Sequence, residues 1–207
     1  MVPAMNTQRF IALATLFFVL LFTGQTTQAQ EELPLGASMP EASHPLIATD
    51  GSEQTLASVR GEGGTLVIFW SNQCPWVDRY EERILEVFER ADEAAIAVVL
   101  VNSNDANAFP DESREANQQR ANDADYPMPY LKDEGGVVAR AFGASRTPHV
   151  FLFNADESLV YRGAVDDSPG DPGSVQEAYL MDAVAAVATG DTPSTSSTRA
   201  FGCTIKL

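Results

Sequence analysis

Two apolar, partly β-branched runs, Thr65 to Trp70 and Ile96 to Val101, flank a segment in which Val77, Tyr80, Ile84, Val87 and Phe88 recur at helical spacing. Neither run alternates polar with apolar residues, which is the pattern of strands covered on both faces. Strand, amphipathic helix and strand in succession imply a parallel pair joined by a right-handed crossover. A chain built this way places a sheet in its middle and helices on its faces.

The remaining segments extend that frame. His44 to Ala48 reads as a short strand closed by an Asp50-Gly51 turn. From Ser103 to Tyr130 the chain turns polar, and a helix is expected from about Glu112 to Asn122, flanked by Pro110, Pro127 and Pro129. A short helix follows over Val137 to Phe142, with Gly143 at the position of a C-terminal cap. Val150 to Phe153 and Leu159 to Arg162, joined through Asn154-Ala155-Asp156-Glu157, form an antiparallel hairpin, and Val175 to Thr189 supplies a last helix. The expected fold is α/β, a central mixed β-sheet flanked by helices in three α/β/α layers. Its domain spans 30–190 with a polar insertion at about 103–130, and a flexible Ser/Thr-rich tail over 191–207 carries Cys203.

The first residues indicate export. Arg9 precedes an almost unbroken apolar stretch, Phe10 to Phe22, and Thr27-Gln28-Ala29 offers small residues for cleavage, so 1–29 reads as a signal peptide. The stretch is short of the roughly 20 residues that span a bilayer. A secreted or periplasmic location without stable membrane association after cleavage is the expectation, and an uncleaved anchor is the alternative. A net charge of −16 repels nucleic acid and anionic membrane surfaces alike. Cys74 and Cys203 are the only cysteines, both in the exported part, where a disulfide can persist. A redox pair and a static bond that fastens the tail are both consistent with that.

Cys74 lies where the first apolar run gives way to the helical pattern, in Phe69-Trp70-Ser71-Asn72-Gln73-Cys74-Pro75-Trp76-Val77. A helix N-terminus offers unpaired N–H groups and partial positive charge, which favour the thiolate over a thiol of ordinary pKa, about 8.5. Pro75 suits the first helical turn because it has no N–H to leave unpaired. An inert, buried thiol is the other reading of the same position. A thiol-ligated metal site is disfavoured, since Cys74 has no second cysteine nearby in the sequence and a lone histidine such as His149 is more often a hydrogen-bonded structural residue. Asp166, Asp167 and Asp171 lack the regular oxygen spacing of a calcium loop. No metal or other cofactor is expected.

The order of elements, with a cysteine after the first core strand and Thr147-Pro148 before a later one, resembles the thioredoxin fold. Thioredoxins keep a second cysteine three residues after the first, and here that residue is Val77. The chain is similar instead to peroxiredoxin-like proteins of the alkyl hydroperoxide reductase/thiol-specific antioxidant group that carry Cys-Pro-aromatic-Val. The similarity extends over Val101-Asn102-Ser103-Asn104-Asp105, Arg146-Thr147-Pro148, Tyr161-Arg162-Gly163, Asp166-Asp167 and Phe201-Gly202-Cys203. It departs from peroxiredoxins proper at Val67, where they carry proline, while Ser71 fits their threonine or serine.

The resemblance implies a Cys74 nucleophile, and Ser71 hydrogen-bonded to the thiolate or peroxide. Arg146 would favour the thiolate, a cis Thr147-Pro148 bond would face the cysteine, and Pro75 and Trp76 would be substrate contacts. Cys203 would be the resolving thiol, and an external thiol the reductant. The expected activity is peroxide reduction. Exchange with protein disulfides by the same two thiols, and a non-enzymatic peptide-binding domain, are the competing readings.

Overall fold

The computed structural model describes Met1 and residues 31–207. Apart from Met1, the expected signal peptide therefore lies outside the described residues. In chain order the elements are β1 (Leu46–Ala48), β2 (Glu53–Gln54), β3 (Gly64–Phe69), α1 (Pro75–Asp92), β4 (Ile96–Asn102), α2 (Arg114–Asp123), β5 (Tyr130–Lys132), α3 (Val137–Phe142), β6 (Arg146–Thr147), β7 (His149–Asn154), β8 (Leu159–Gly163), α4 (Tyr179–Ala188) and β9 (Cys203–Thr204). Seven strands form one sheet in the order β2-β1-β5-β4-β3-β7-β8, and β6 pairs separately with β9. β3, β4 and β5 run parallel, and the other pairings are antiparallel.

The two-sided burial of β3 and β4 follows from their unbroken apolar runs. Leu66, Ile68, Val98, Leu100, Val150 and Leu152 face α1 and α4, whereas Val67, Phe69, Val99, Val101, Phe151 and Phe153 face α3 and the segment that precedes β1. Each such side chain contributes about 1.5–3 kcal/mol on burial. Phe142 of α3 meets Phe69, Phe151 and Phe153 edge-on, with ring centroids 5.2–6.0 Å apart. No helix among the described residues is long and apolar enough to cross a membrane.

Three boundaries differ from expectation, each for a physical reason. The polar insertion ends in β5, an interior strand of only three residues that is too short to show a period. α4 starts at Tyr179 and not at Val175, because the Gln176 and Glu177 amides are bound by the Asp167 carboxylate at 3.0 and 3.1 Å. The tail read as flexible is packed: Thr198 N–H donates to the Arg162 carbonyl, Ile205 is buried, and Asp105 N–H donates to the Lys206 carbonyl. α2 buries only Asn117 and so gains little from an apolar face. Its Ser113 cap accepts the Ala116 amide at 3.3 Å, and Ser113→Ala should lower stability by about 1 kcal/mol in urea denaturation.

Candidate active site

The run that makes β3 ends at Phe69, and the chain turns through Ser71, Asn72 and Gln73 into α1. Cys74 is the residue that caps α1, with Pro75 at its first turn. Its carbonyl accepts the Val77 amide at 2.9 Å, and its thiol is 1% exposed. The Cys74 Sγ lies 3.1 Å from the Thr147 carbonyl oxygen, to which the thiol donates. Thr147-Pro148 is cis, as the resemblance implied.

The same short strand brings in the second thiol. β6 and β9 pair antiparallel with Arg146 opposite Thr204 and Thr147 opposite Cys203. Cys203 is thereby placed across from the residue that holds Cys74, and it packs against the cluster that contains Cys74. Both are free thiols. The Cys203 thiol is pushed well above the ordinary thiol range, first by burial and next by its hydrogen bond to the Cys74 sulfur and the charge there. Trp76, half-buried, meets the Phe201 ring edge-on at 4.7 Å, and the Arg79 guanidinium lies 5.2 Å from the centre of the Trp76 ring. Pro75 is exposed at the mouth of the helix.

Ser71 and Arg146 are engaged elsewhere. The Ser71 hydroxyl donates to Glu112 Oε1 at 2.5 Å, and the Arg146 guanidinium donates to the Thr204 hydroxyl of β9. Glu112, fully buried, is the residue that sequence reasoning missed. Its Oε1 also accepts the Gln73 amide at 3.3 Å, and its Oε2 accepts the Asn72 amide at 2.9 Å and Asn102 Nδ2 at 2.8 Å. One carboxylate from the insertion thus holds the three residues before Cys74. Asn117 Oδ1 binds Asn72 and Asn102, both at 2.8 Å, and Tyr130 donates to Asn72 Oδ1 at 2.9 Å. Arg120 adds a 3.2 Å bond to the Asn72 carbonyl. The only sequence signal was an acidic residue two positions after Pro110, at the start of the expected helix.

The other candidate ligands have local partners. His149 is buried, its Nδ1 accepts the Ser145 amide at 3.3 Å, and its pKa is driven down to about 3 by burial and by the charges of Arg162 and Arg146. Asp166 accepts from Tyr80 at 3.2 Å and from Arg83, while Asp171 accepts the Gly173 amide at 2.9 Å. These aspartates therefore fasten the loop before α4.

A family model described as Redoxin matches residues 34–180. Among solved structures, a hypothetical protein from Sinorhizobium meliloti is 37% identical, with 85% of this chain and 96% of that one covered and a TM-score of 0.78. An uncharacterized conserved protein from Geobacillus kaustophilus is 32% identical over 84% and 92% of the two chains, with a TM-score of 0.77. The Xanthomonas campestris bacterioferritin comigratory protein, studied for alkyl peroxide reduction, shares the fold at 17% identity over 76% and 97%, with a TM-score of 0.55. No curated protein matches the chain. With the mixed sheet, the flanking helices and the match over most of its length, the chain belongs to the Redoxin family and is a thiol oxidoreductase of thioredoxin-like fold.

Proposed function

We propose that the protein is exported and reduces peroxides through Cys74, with Cys203 as the resolving thiol. The observation that carries this reading is the register of β9 on β6, which sets Cys203 opposite the residue whose carbonyl holds Cys74. The Cys74 thiolate attacks the terminal peroxide oxygen, the O–O bond breaks, and the departing alkoxide or hydroxide takes up a proton, leaving a sulfenic acid. Cys203 then attacks the Cys74 sulfur, water leaves, and a disulfide remains for an external thiol to reduce.

The thiol arrangement supports that order of events. Burial is the first cause of the raised Cys203 pKa, so Cys203 rests as a thiol beside Cys74.

A second reading draws on the positions of Ser71 and Arg146. Both hydrogen bond away from the thiol, toward Glu112 and Thr204, which leaves the pair equally suited to exchange with a protein disulfide. Mass spectrometry after stoichiometric hydrogen peroxide and a sulfenate trap separates the two. Wild type should yield a Cys74–Cys203 disulfide, and Cys203→Ser should accumulate trapped Cys74 sulfenate. A Cys74 that stays a thiol through excess peroxide would overturn the peroxidase reading and leave disulfide exchange.

A further inference from the structure

The turn Asn102-Ser103-Asn104-Asp105 that leaves β4 has no part in the chemistry proposed above, yet Asn102 and Asn104 are buried polar residues. Buried amides keep their places when their hydrogen bonds are made, and these two are bonded in opposite directions. Asn102 Nδ2 donates to Glu112 Oε2 at 2.8 Å, on the side of the loop that leads into Cys74. Asn102 Oδ1 accepts the Asn104 amide at 3.0 Å, and Asn104 Oδ1 accepts the Lys206 amide at 2.8 Å. The Asp105 amide donates to the Lys206 carbonyl at 2.7 Å, a second bond to the same tail residue. The buried Lys132 ammonium donates to the Asn104 carbonyl and fixes the turn at a further point.

The tail needs such a hold. The pairing of β9 with β6 is two residues long, and Cys203 is the first of them. Lys206 lies three residues past Cys203, and the turn takes both its amide and its carbonyl. We propose that Asn104 is a positioning residue of the resolving step, holding the tail at Lys206 so that Cys203 stays against Cys74. The inference rests on the reading that Cys203 resolves a Cys74 sulfenic acid.

In that step the Cys203 sulfur attacks the Cys74 sulfur. The S–S bond forms as the S–O bond breaks, and the hydroxide leaves as water with the Cys203 proton. Attack requires the two sulfurs to meet, so its rate falls with the fraction of time that the tail spends released. Peroxide attack on Cys74 has no such requirement, and loss of Asn104 therefore acts on the second step alone. A sulfenic acid that waits longer meets a second peroxide and is oxidised to sulfinic acid, while that peroxide is reduced to water or an alcohol.

The test uses the full reduced chain, mixed with stoichiometric hydrogen peroxide, quenched over time with acid and a sulfenate trap, and read by mass spectrometry. Asn104→Ala should form Cys74 sulfenate at the wild-type rate and convert it to the Cys74–Cys203 disulfide about tenfold more slowly. Under excess peroxide it should collect Cys74 sulfinic acid at concentrations that leave wild type as the disulfide. Lys206→Pro removes the amide that Asn104 accepts from an exposed residue of the tail, and it reads the same contact where Asn104→Ala does not fold. The double variant should be no slower than the slower single one, because both substitutions remove one bond. Resolution at the wild-type rate in the variants, or equal slowing of both steps, overturns the inference. A double variant slowed by the product of the two single effects overturns it as well, while leaving Cys203 as the resolving thiol. Absence of any Cys74–Cys203 disulfide in wild type overturns the resolver reading and this inference with it.

Discussion

Glu112→Ala is expected to lower the stability of the folded domain by about 3–5 kcal/mol and to slow the reaction of Cys74 with peroxide by about 10–100-fold. The carboxylate accepts from the Ser71 hydroxyl, the Asn72 and Gln73 amides and Asn102 Nδ2, and it is fully buried. Alanine leaves these donors without water and without an acceptor, and each orphaned group costs about 1–3 kcal/mol, less than additively. The rate effect follows because the residues released are those that lead directly into Cys74. Glutamine keeps the shape but turns an NH2 group toward one pair of donors; of these the Ser71 hydroxyl can reverse and a backbone amide cannot. Glu112→Gln should therefore cost about 1–2 kcal/mol. Urea midpoints and single-turnover peroxide consumption check both effects. A stability loss under about 1 kcal/mol for the alanine variant would mean that the insertion does not hold the loop.

Acid should destabilise the protein through His149, beginning near pH 6.5. The folded pKa is about 3, below the ordinary value of 6.5, because burial and the Arg162 and Arg146 charges oppose protonation. Below pH 6.5 the unfolded chain takes up a proton that the folded protein refuses. The stabilisation is complete above pH 6.5 and is lost as pH falls toward 3, at up to about 1.4 kcal/mol per unit and on the order of 5 kcal/mol in all. Glu32, whose Oε1 lies 3.9 Å from His149 Nε2, would moderate the loss. His149→Gln should flatten the slope of unfolding free energy between pH 6 and pH 4 relative to wild type. Parallel slopes for the two proteins would show that His149 does not carry the acid sensitivity.

How far the sequence spoke depended on whether the responsible force was periodic. The runs in β3 and β4 are apolar because both faces of each strand are covered, and they could be read directly. The α3 helix and its Gly143 cap, in left-handed geometry at φ +65°, were equally plain. The junction at Cys74 was legible because a strand ended and a helix began there. Glu112 was not, since its role depends on four donors of which three lie 39 to 41 positions earlier in the chain. The β6–β9 pairing was hidden for a related reason. Two residues cannot display a period, and the tail's Ser/Thr composition signals flexibility although Gly202 and Phe201 are fitted to particular neighbours.

The last residues of the chain carry a practical consequence. Lys206 N–H donates to Asn104 Oδ1 at 2.8 Å, its ammonium lies 4.1 Å from the centre of the Phe109 ring, and Leu207 packs so closely on Gly136 that a Cβ there would meet it at 2.3 Å. The strand bearing Cys203 is thus held from beyond as well as from before. Lys206→Ala and Leu207→Ala together would loosen that anchorage, and Cys203 would then react sluggishly for reasons unrelated to its own chemistry.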